Sequence, residues 1–434
     1  MIKKLVVVFI ALIAVTSYAQ EGTASPYSFY GIGSLKFKGT VENRSMGGIG
    51  VYIDSIHVNL RNPASYATEN ISDWNNESRP VKFTVGGSYV NTNLDTQTGS
   101  ATSSATTFDY LALSIPMGKF GFALGLLPYT SVGYKLESLN TAGDIENRFR
   151  GEGGVNKAFL GLGYRIAKGL SFGVDAHYNF GNIQNSIVEY VYDDGVRLQL
   201  QSRESNRSDL SGLNFNLGLY YSTMLTDNLE LKATTTYTPE SDLTSKNQRS
   251  IATITTVGST GQEFVSENID VDLESAGLLE TDLVMPSKMS FGLGIGRPRV
   301  WFLGADYTFQ KTSDFTNDLY SSVNTIYEDA TTLSIGGFYI PNYRSLNGYY
   351  KRMVYRAGVR MEKTGLNINS ESIKEFGISF GVGLPLRGGI SNANLGVELG
   401  KRGTTNNNLI QENFINVQLS LSLGDRWFQK RKYN

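Results

Sequence analysis

The chain has 434 residues, a formal net charge of −1 and no cysteine. That charge gives nucleic acid nothing to bind, and the absent thiols exclude disulfides and thiolate metal sites. His57 and His177, the only histidines, lie far apart, so no metal or other cofactor is expected, while 47 Gly and 25 Tyr against 10 Pro suit strands and turns rather than helices.

Residues 1–19 read as a signal peptide. Met1-Ile2-Lys3-Lys4 is a basic start, Leu5 to Thr16 is an apolar run, and Ser17-Tyr18-Ala19 is a small-x-small cleavage site. The apolar run is shorter than the roughly 20 residues of a membrane helix. The mature chain is expected to begin at Gln20, exported through a cleaved signal peptide. No later run of 18 apolar residues occurs, so a mature chain that spans a membrane has to be a barrel.

Residues 20–78 form the next unit. It holds the run Arg44-Ser45-Met46-Gly47-Gly48-Ile49-Gly50-Val51, then Asp54, then Asn62-Pro63-Ala64. So many glycines make a poor helix, and they let a backbone turn tightly in a crowded space. Pro63 biases Asn62 toward an extended conformation.

From about residue 79 to 428 the dominant period is two. Leu170, Phe172, Val174, Ala176, Tyr178 and Phe180 alternate with Ser171, Gly173, Asp175, His177, Asn179 and Gly181. Met289, Phe291, Leu293 and Ile295 alternate with Ser290, Gly292, Gly294 and Gly296. Such alternation marks strands with one apolar and one small, polar face. About fourteen segments of this kind run from 80–93, 105–117 and 119–136 through to 409–423. Every second connection is short, as at Met117-Gly118-Lys119 and Ala167-Lys168-Gly169, while the others are longer and polar. This is the arrangement of an all-β transmembrane antiparallel up-and-down barrel, with both termini in the periplasm. Residues 342–350 break the pattern, being long where a short turn is expected. Trp427 and Phe428 follow the last strand as interface anchors, and 429–434 form a basic periplasmic tail.

The run around Arg44, Met46, Gly47, Gly48 and Gly50, with Asp54 and then Asn62, Pro63 and Ala64, resembles the N-terminal hatch of FadL-type outer-membrane proteins, the long-chain fatty acid and hydrocarbon transporters. The resemblance implies a fourteen-stranded outer-membrane barrel with residues 20–78 as a hatch in its lumen. It also implies passive uptake of a fatty-acid-like hydrophobic small molecule, by lateral diffusion through the barrel wall. The expected partners are then that ligand, outer-membrane lipid and other outer-membrane proteins. A second reading is a FadL-like accessory subunit of an outer-membrane secretion or assembly complex.

Leu127-Pro128-Tyr129 falls inside the third strand. Proline gives no hydrogen to a ladder, and a closed barrel has no edges, so Pro128 predicts a bulge or an interruption. The resemblance makes Leu127, Pro128 and Tyr129 candidates for a lateral gate. Leu278, Leu279, Leu283 and Met285 suggest an extracellular apolar patch that first captures ligand. Arg356 and Arg360 share one strand face and are candidates for holding the hatch. No catalytic triad, P-loop, zincin or G-x-S-x-G pattern is present, so no enzymatic activity is expected.

Overall fold

The computed structural model of the chain describes residues 23–68, 80–257, 262–316, 325–386 and 390–425. The expected signal peptide, Gln20, Trp427, Phe428 and the basic tail lie outside the described residues.

Fourteen antiparallel strands close into one barrel. In chain order they are β1 (Val81–Asp95), β2 (Ser100–Met117), β3 (Phe120–Pro128, resuming as Thr130–Leu139), β4 (Ile145–Ala167) and β5 (Leu170–Glu189). Next come β6 (Leu200–Thr226), β7 (Leu229–Thr238, resuming as Ser241–Thr256), β8 (Glu280–Met285, resuming as Lys288–Arg297) and β9 (Trp301–Gln310). The last five are β10 (Ala330–Tyr339), β11 (Val354–Ile368), β12 (Glu371–Pro385), β13 (Asn392–Arg402) and β14 (Gln411–Asp425). Consecutive strands pair, and β14 closes on β1 from Val81↔Asp425 to Asp95↔Gln411.

The alternation in the sequence is the alternation of two environments. On β5, Phe172, Tyr178 and Phe180 are exposed on the outer face, whereas Ser171, Asp175, His177 and Asn179 are buried in the lumen. Tight turns join β2 to β3, β4 to β5 and β6 to β7 at one end, the periplasmic end of outer-membrane barrels. A bilayer needs about 9–11 residues of a tilted strand, yet β4 has 23 and β6 has 27. Their excess lies at the opposite, extracellular end, where Glu263–Asp270 also pairs with β7. Among the described residues, no helix is long and apolar enough to cross a membrane.

Residues 23–68 run inside the barrel and are largely buried. They hold one short helix, α1 (Val41–Arg44), and two 3-10 turns, Pro26–Phe29 and Pro63–Ala67. The apolar core is therefore divided among patches where this inner segment meets the wall. Met46, Ile49 and Val51 pack on Phe302 and Phe338. Val41, Val58, Leu60 and Tyr66 pack with Tyr110, Ala123, Leu127 and Phe159. Burying each large side chain contributes about 1.5–3 kcal/mol.

Candidate functional site

The inner segment is shaped by its glycines. α1 stops because Gly47 (φ 70°) and Gly48 (φ 90°) follow it in the left-handed region. At Gly47 a Cβ would also stand 2.6–2.8 Å from backbone atoms of Val359 and Ile335. The wall is small at the same place, since a Cβ on Gly336 or Gly358 would run into Met46 and Gly47. Backbone thus lies directly on backbone. The second contact is alike: Asn62 to Ala64 rest on Gly173 of β5 and Gly218 of β6. Asn62 is extended (φ −131°, ψ 114°). Its side chain accepts from Ala64 N at 2.9 Å and donates to the Leu219 carbonyl at 2.8 Å.

Polar groups then fix the segment to the wall. Val41 N donates to the Tyr110 hydroxyl at 3.1 Å and Gly47 N to Ser379 Oγ at 2.9 Å. Gly50 N donates to the Asp306 carboxylate. Arg44 pairs with Glu398 at 2.6 Å. Glu398 also accepts from Arg360 at 3.0 Å, and Arg360 continues to Glu375, which holds Arg402 at 2.5 Å. At the periplasmic end, Lys82 donates to the carbonyls of Asp54 (3.1 Å) and His57 (3.0 Å), and Lys232 to that of Ile53 (2.9 Å). Burial pushes the Asp54 carboxyl up, but the His57 ring at 2.7 Å, its hydrogen bonds and Lys82 outweigh that and hold it well below the ordinary carboxylate range.

β3 is broken at Tyr129. Its lower half pairs with β2 from Leu111↔Leu126 to Met117↔Phe120. Its upper half pairs with β4 on one side and, on the other, with the inner segment instead of β2: Ser34↔Ser131 and Leu35↔Thr130. Lys36 N adds a hydrogen bond to the Tyr129 carbonyl at 2.9 Å. The cause is local. Tyr129 N donates to Val155 of β4 at 2.7 Å, so by alternation the nitrogen aimed at β2 is that of Pro128, which has no hydrogen to give. On the β2 side, Asp109 forms a bulge between Gly86 and Gly87, and its carboxylate accepts from Ser88 (2.9 Å) and Thr107 (2.8 Å). Among the described residues no strand pairs with the side of Ser100–Tyr110 that faces β3. The wall is seamed there, and Ser34–Leu35 occupies the edge left open by β2.

Three cavities adjoin this seam. The central one, about 200 Å³, is lined by Leu127, Pro128 and Tyr129 and by cations that include Lys38, Arg61 and Lys157. Lys157 stands 3.9 Å from the centre of the Tyr129 ring. Burial, with Arg61 nearby, lowers the Lys38 ammonium below its ordinary value, Asp175 acting the other way. Toward the extracellular end lies a more apolar pocket of about 120 Å³, bounded by Tyr27, Tyr30, Ile32, Phe315 and Tyr327. Another of about 120 Å³ runs along β1, β2 and β14. Leu35 lines all three.

The family model of BamG matches residues 1–434. The chain belongs to the BamG family. Solved structures add a likeness of fold to this BamG-family barrel. The CymD monoaromatic hydrocarbon channel aligns with a TM-score of 0.56 at 15% identity, over 91% of this chain and 100% of its own. The Pseudomonas putida toluene transporter TodX aligns at 0.56 and 18%, over 92% and 100%. A Pseudomonas aeruginosa FadL homologue aligns at 0.57 and 12%, over 91% and 99%. The search of curated proteins returned no match. The fold is that of FadL-like outer-membrane barrels.

In this BamG-family member the hatch-motif residues from Arg44 to Ala64 all lie in the inner segment, at its wall contacts. Leu127, Pro128 and Tyr129 lie together at the seam. Arg360 reaches the segment through the Glu398 it shares with Arg44. Arg356 donates to Asn394 at 3.1 Å, and Asn394 in turn donates to the Glu42 carboxylate. Both arginines therefore stand one residue away from the segment. The expected capture patch does not exist as one exposed surface. Leu283 and Met285 are buried against Ile32 and Val132, Leu278 is half-buried, and Leu279 alone is exposed. The break in β8 at residues 286–287 is the reason: it shifts the phase of alternation, so that 283 and 285 turn into the lumen while Met289 and Phe291 face outward. Sequence reading also passed over Glu42, which accepts from Asn394, Ser420 and Ser422. An acid two residues before the Gly-rich run was the available signal. Among the described residues no three His, Asp or Glu side chains are grouped to hold a metal.

Proposed function

We propose that this barrel passes small hydrophobic molecules from the extracellular side into the outer membrane through the seam between β2 and β3. One observation carries the reading: the inner strand Ser34–Leu35 takes the edge of β3 that β2 leaves unpaired. A ligand entering the aromatic pocket of Tyr27, Phe315 and Tyr327 meets Leu35, the wall common to that pocket and the cavities at the seam. Release of a two-residue strand opens a lateral path without moving the inner segment as a whole. The solved barrels of like fold that are titled hydrocarbon channel or toluene transporter support this reading.

Pro128→Ala tests it. The variant supplies the missing hydrogen toward β2, so the two strands can pair further. Toluene uptake by cells or proteoliposomes should fall while barrel assembly, read by heat-modifiable gel mobility, is unchanged. Uptake at the wild-type rate removes the seam as the route. A second reading, an accessory subunit of an outer-membrane assembly, is favoured by the folded β10–β11 connection, residues 340–353, at the periplasmic end. Purification in mild detergent separates the two, since a stoichiometric partner together with no toluene uptake would leave only the second.

A further inference from the structure

One periplasmic connection is unlike the tight turns beside it. The β10–β11 link, residues 340–353, contains Arg344, Lys351 and Arg352 and no acidic residue. It is folded. Asn342 N donates to the Lys351 carbonyl at 2.7 Å, Tyr349–Arg352 form a 3-10 turn, and the Tyr349 hydroxyl donates to the Pro385 carbonyl at 3.1 Å. Ile340 is buried and Tyr343 packs beside it, yet two other apolar side chains are turned out: Leu346 is 96% exposed and Tyr350 61%. A folded loop that leaves a leucine almost wholly in water has not spent that side chain on its own stability.

The loop joins the turn between β8 and β9. Ile340 N donates to the Val300 carbonyl at 2.7 Å, and Arg299 lies over the Tyr343 ring at 5.2 Å. Between these turns and the inner segment opens a cavity of about 440 Å³. Its floor is apolar and aromatic, from Tyr52, Phe338 and Tyr343, and its charged rim is Arg299, Arg352 and Arg356. Two acids also line it. Glu42 Oε1 accepts from Asn394, Ser420 and Ser422, while its buried Oε2 has no hydrogen-bond partner among the described residues, and Asp54 is held by His57. The Nε of Arg352 is buried and has no hydrogen-bond partner among the described residues. A buried guanidinium hydrogen without an acceptor is costly, and a carboxylate is the acceptor it fits best.

We propose that this cavity and loop form a docking site for an acidic polypeptide segment of a periplasmic or neighbouring outer-membrane protein. The segment seats an aromatic or branched side chain on Tyr52, Phe338 and Tyr343 and a carboxylate on Arg352 and Arg299. Leu346 and Tyr350 extend the contact beyond the cavity. A peptide fits better than phospholipid headgroups, because the cavity is walled by the inner segment and lies within the ring of strands, off the lipid-facing rim. This inference does not depend on the seam, which lies on a different part of the wall.

The test uses the full-length protein in detergent and an array of short labelled peptides varying in Glu/Asp and Phe/Leu content. Binding should require both a carboxylate and a large apolar side chain, and replacing Glu/Asp by Gln/Asn should abolish it. Arg352→Gln should weaken binding roughly tenfold, the loss of one charge-assisted hydrogen bond, and Leu346→Asn by a smaller factor. Both positions are on a loop, so unchanged heat-modifiable mobility shows that the barrel is intact. Equal binding of acidic and neutral peptides, or no binding by any, overturns the proposal. So does Arg352-dependent enrichment of anionic phospholipid around the protein in mixed nanodiscs without peptide binding, which would reassign the site to lipid.

Discussion

Locking the inner strand onto β3 is the sharpest test of the seam. Ser34 and Ser131 are paired residues, and facing residues of antiparallel strands have Cα atoms about 4.5–5.5 Å apart. That is within the reach of a disulfide. The chain has no cysteine, so Ser34→Cys with Ser131→Cys has no competing thiol and should oxidise on export. Release of a two-residue strand breaks only a few backbone hydrogen bonds, about 0.5–1.5 kcal/mol each, whereas the intact disulfide holds positions 34 and 131 together covalently and blocks release outright. The assay is toluene uptake with the same protein oxidised and then reduced by dithiothreitol. Uptake should be lost in the oxidised form and return on reduction, with each single-cysteine variant behaving like the parent. Equal uptake in the two forms would mean that the strand at Ser34–Leu35 stays in place while ligand passes, and the route would have to be sought elsewhere.

Other outcomes follow from the contacts of the inner segment. Glu398→Gln leaves Arg44 and Arg360 without their shared anion, and breaking a buried pair costs about 3–5 kcal/mol. Hydrogen exchange across residues 40–50 should accelerate while the strands stay protected; unchanged exchange would sink the idea that this pair anchors the segment. Gly47→Ala forces a left-handed residue to carry a Cβ, at least ~1 kcal/mol, and pushes it against the β10–β11 wall. Planar-bilayer conductance to small ions should rise, and a wild-type trace would show that the segment does not plug the lumen there. Asp54 has a folded carboxyl held below its ordinary value. Its contribution is therefore fully present above about pH 4, the unfolded range, and is lost as pH falls toward the folded value. Protease access to residues 50–60 should rise with acid in the parent and change less in Asp54→Asn.

Much of the barrel was legible because each spanning residue faces one of two very different surroundings. Lipid outside and a polar lumen inside impose a period of two that survives over strand after strand, and turn lengths supply direction. Pro128 was legible for an equally local reason, the missing hydrogen. The lumen contacts were not. Arg360 meets Glu398, 38 positions away, only because β11, β12 and β13 align in one register. Gly173 read as part of a small, polar face; like Gly218, Gly336 and Gly358, it is a place where a second backbone lies on the wall. Leu283 and Met285 were misplaced because the break at 286–287 reverses the phase of β8, sending odd-numbered residues inward before it and outward after it.

The distance along the chain between Arg44 and Glu398 has a kinetic meaning. These two groups, 354 positions apart, cannot meet until thirteen of the fourteen strands have been laid down. Hairpins between consecutive strands close far smaller loops and form earlier. Docking of the inner segment thus reports that the cylinder is nearly complete. A chain truncated before β13 should form its early hairpins and their contacts with Ser34–Leu35 and Asn62–Ala64, but leave the stretch around Arg44 open to proteolysis.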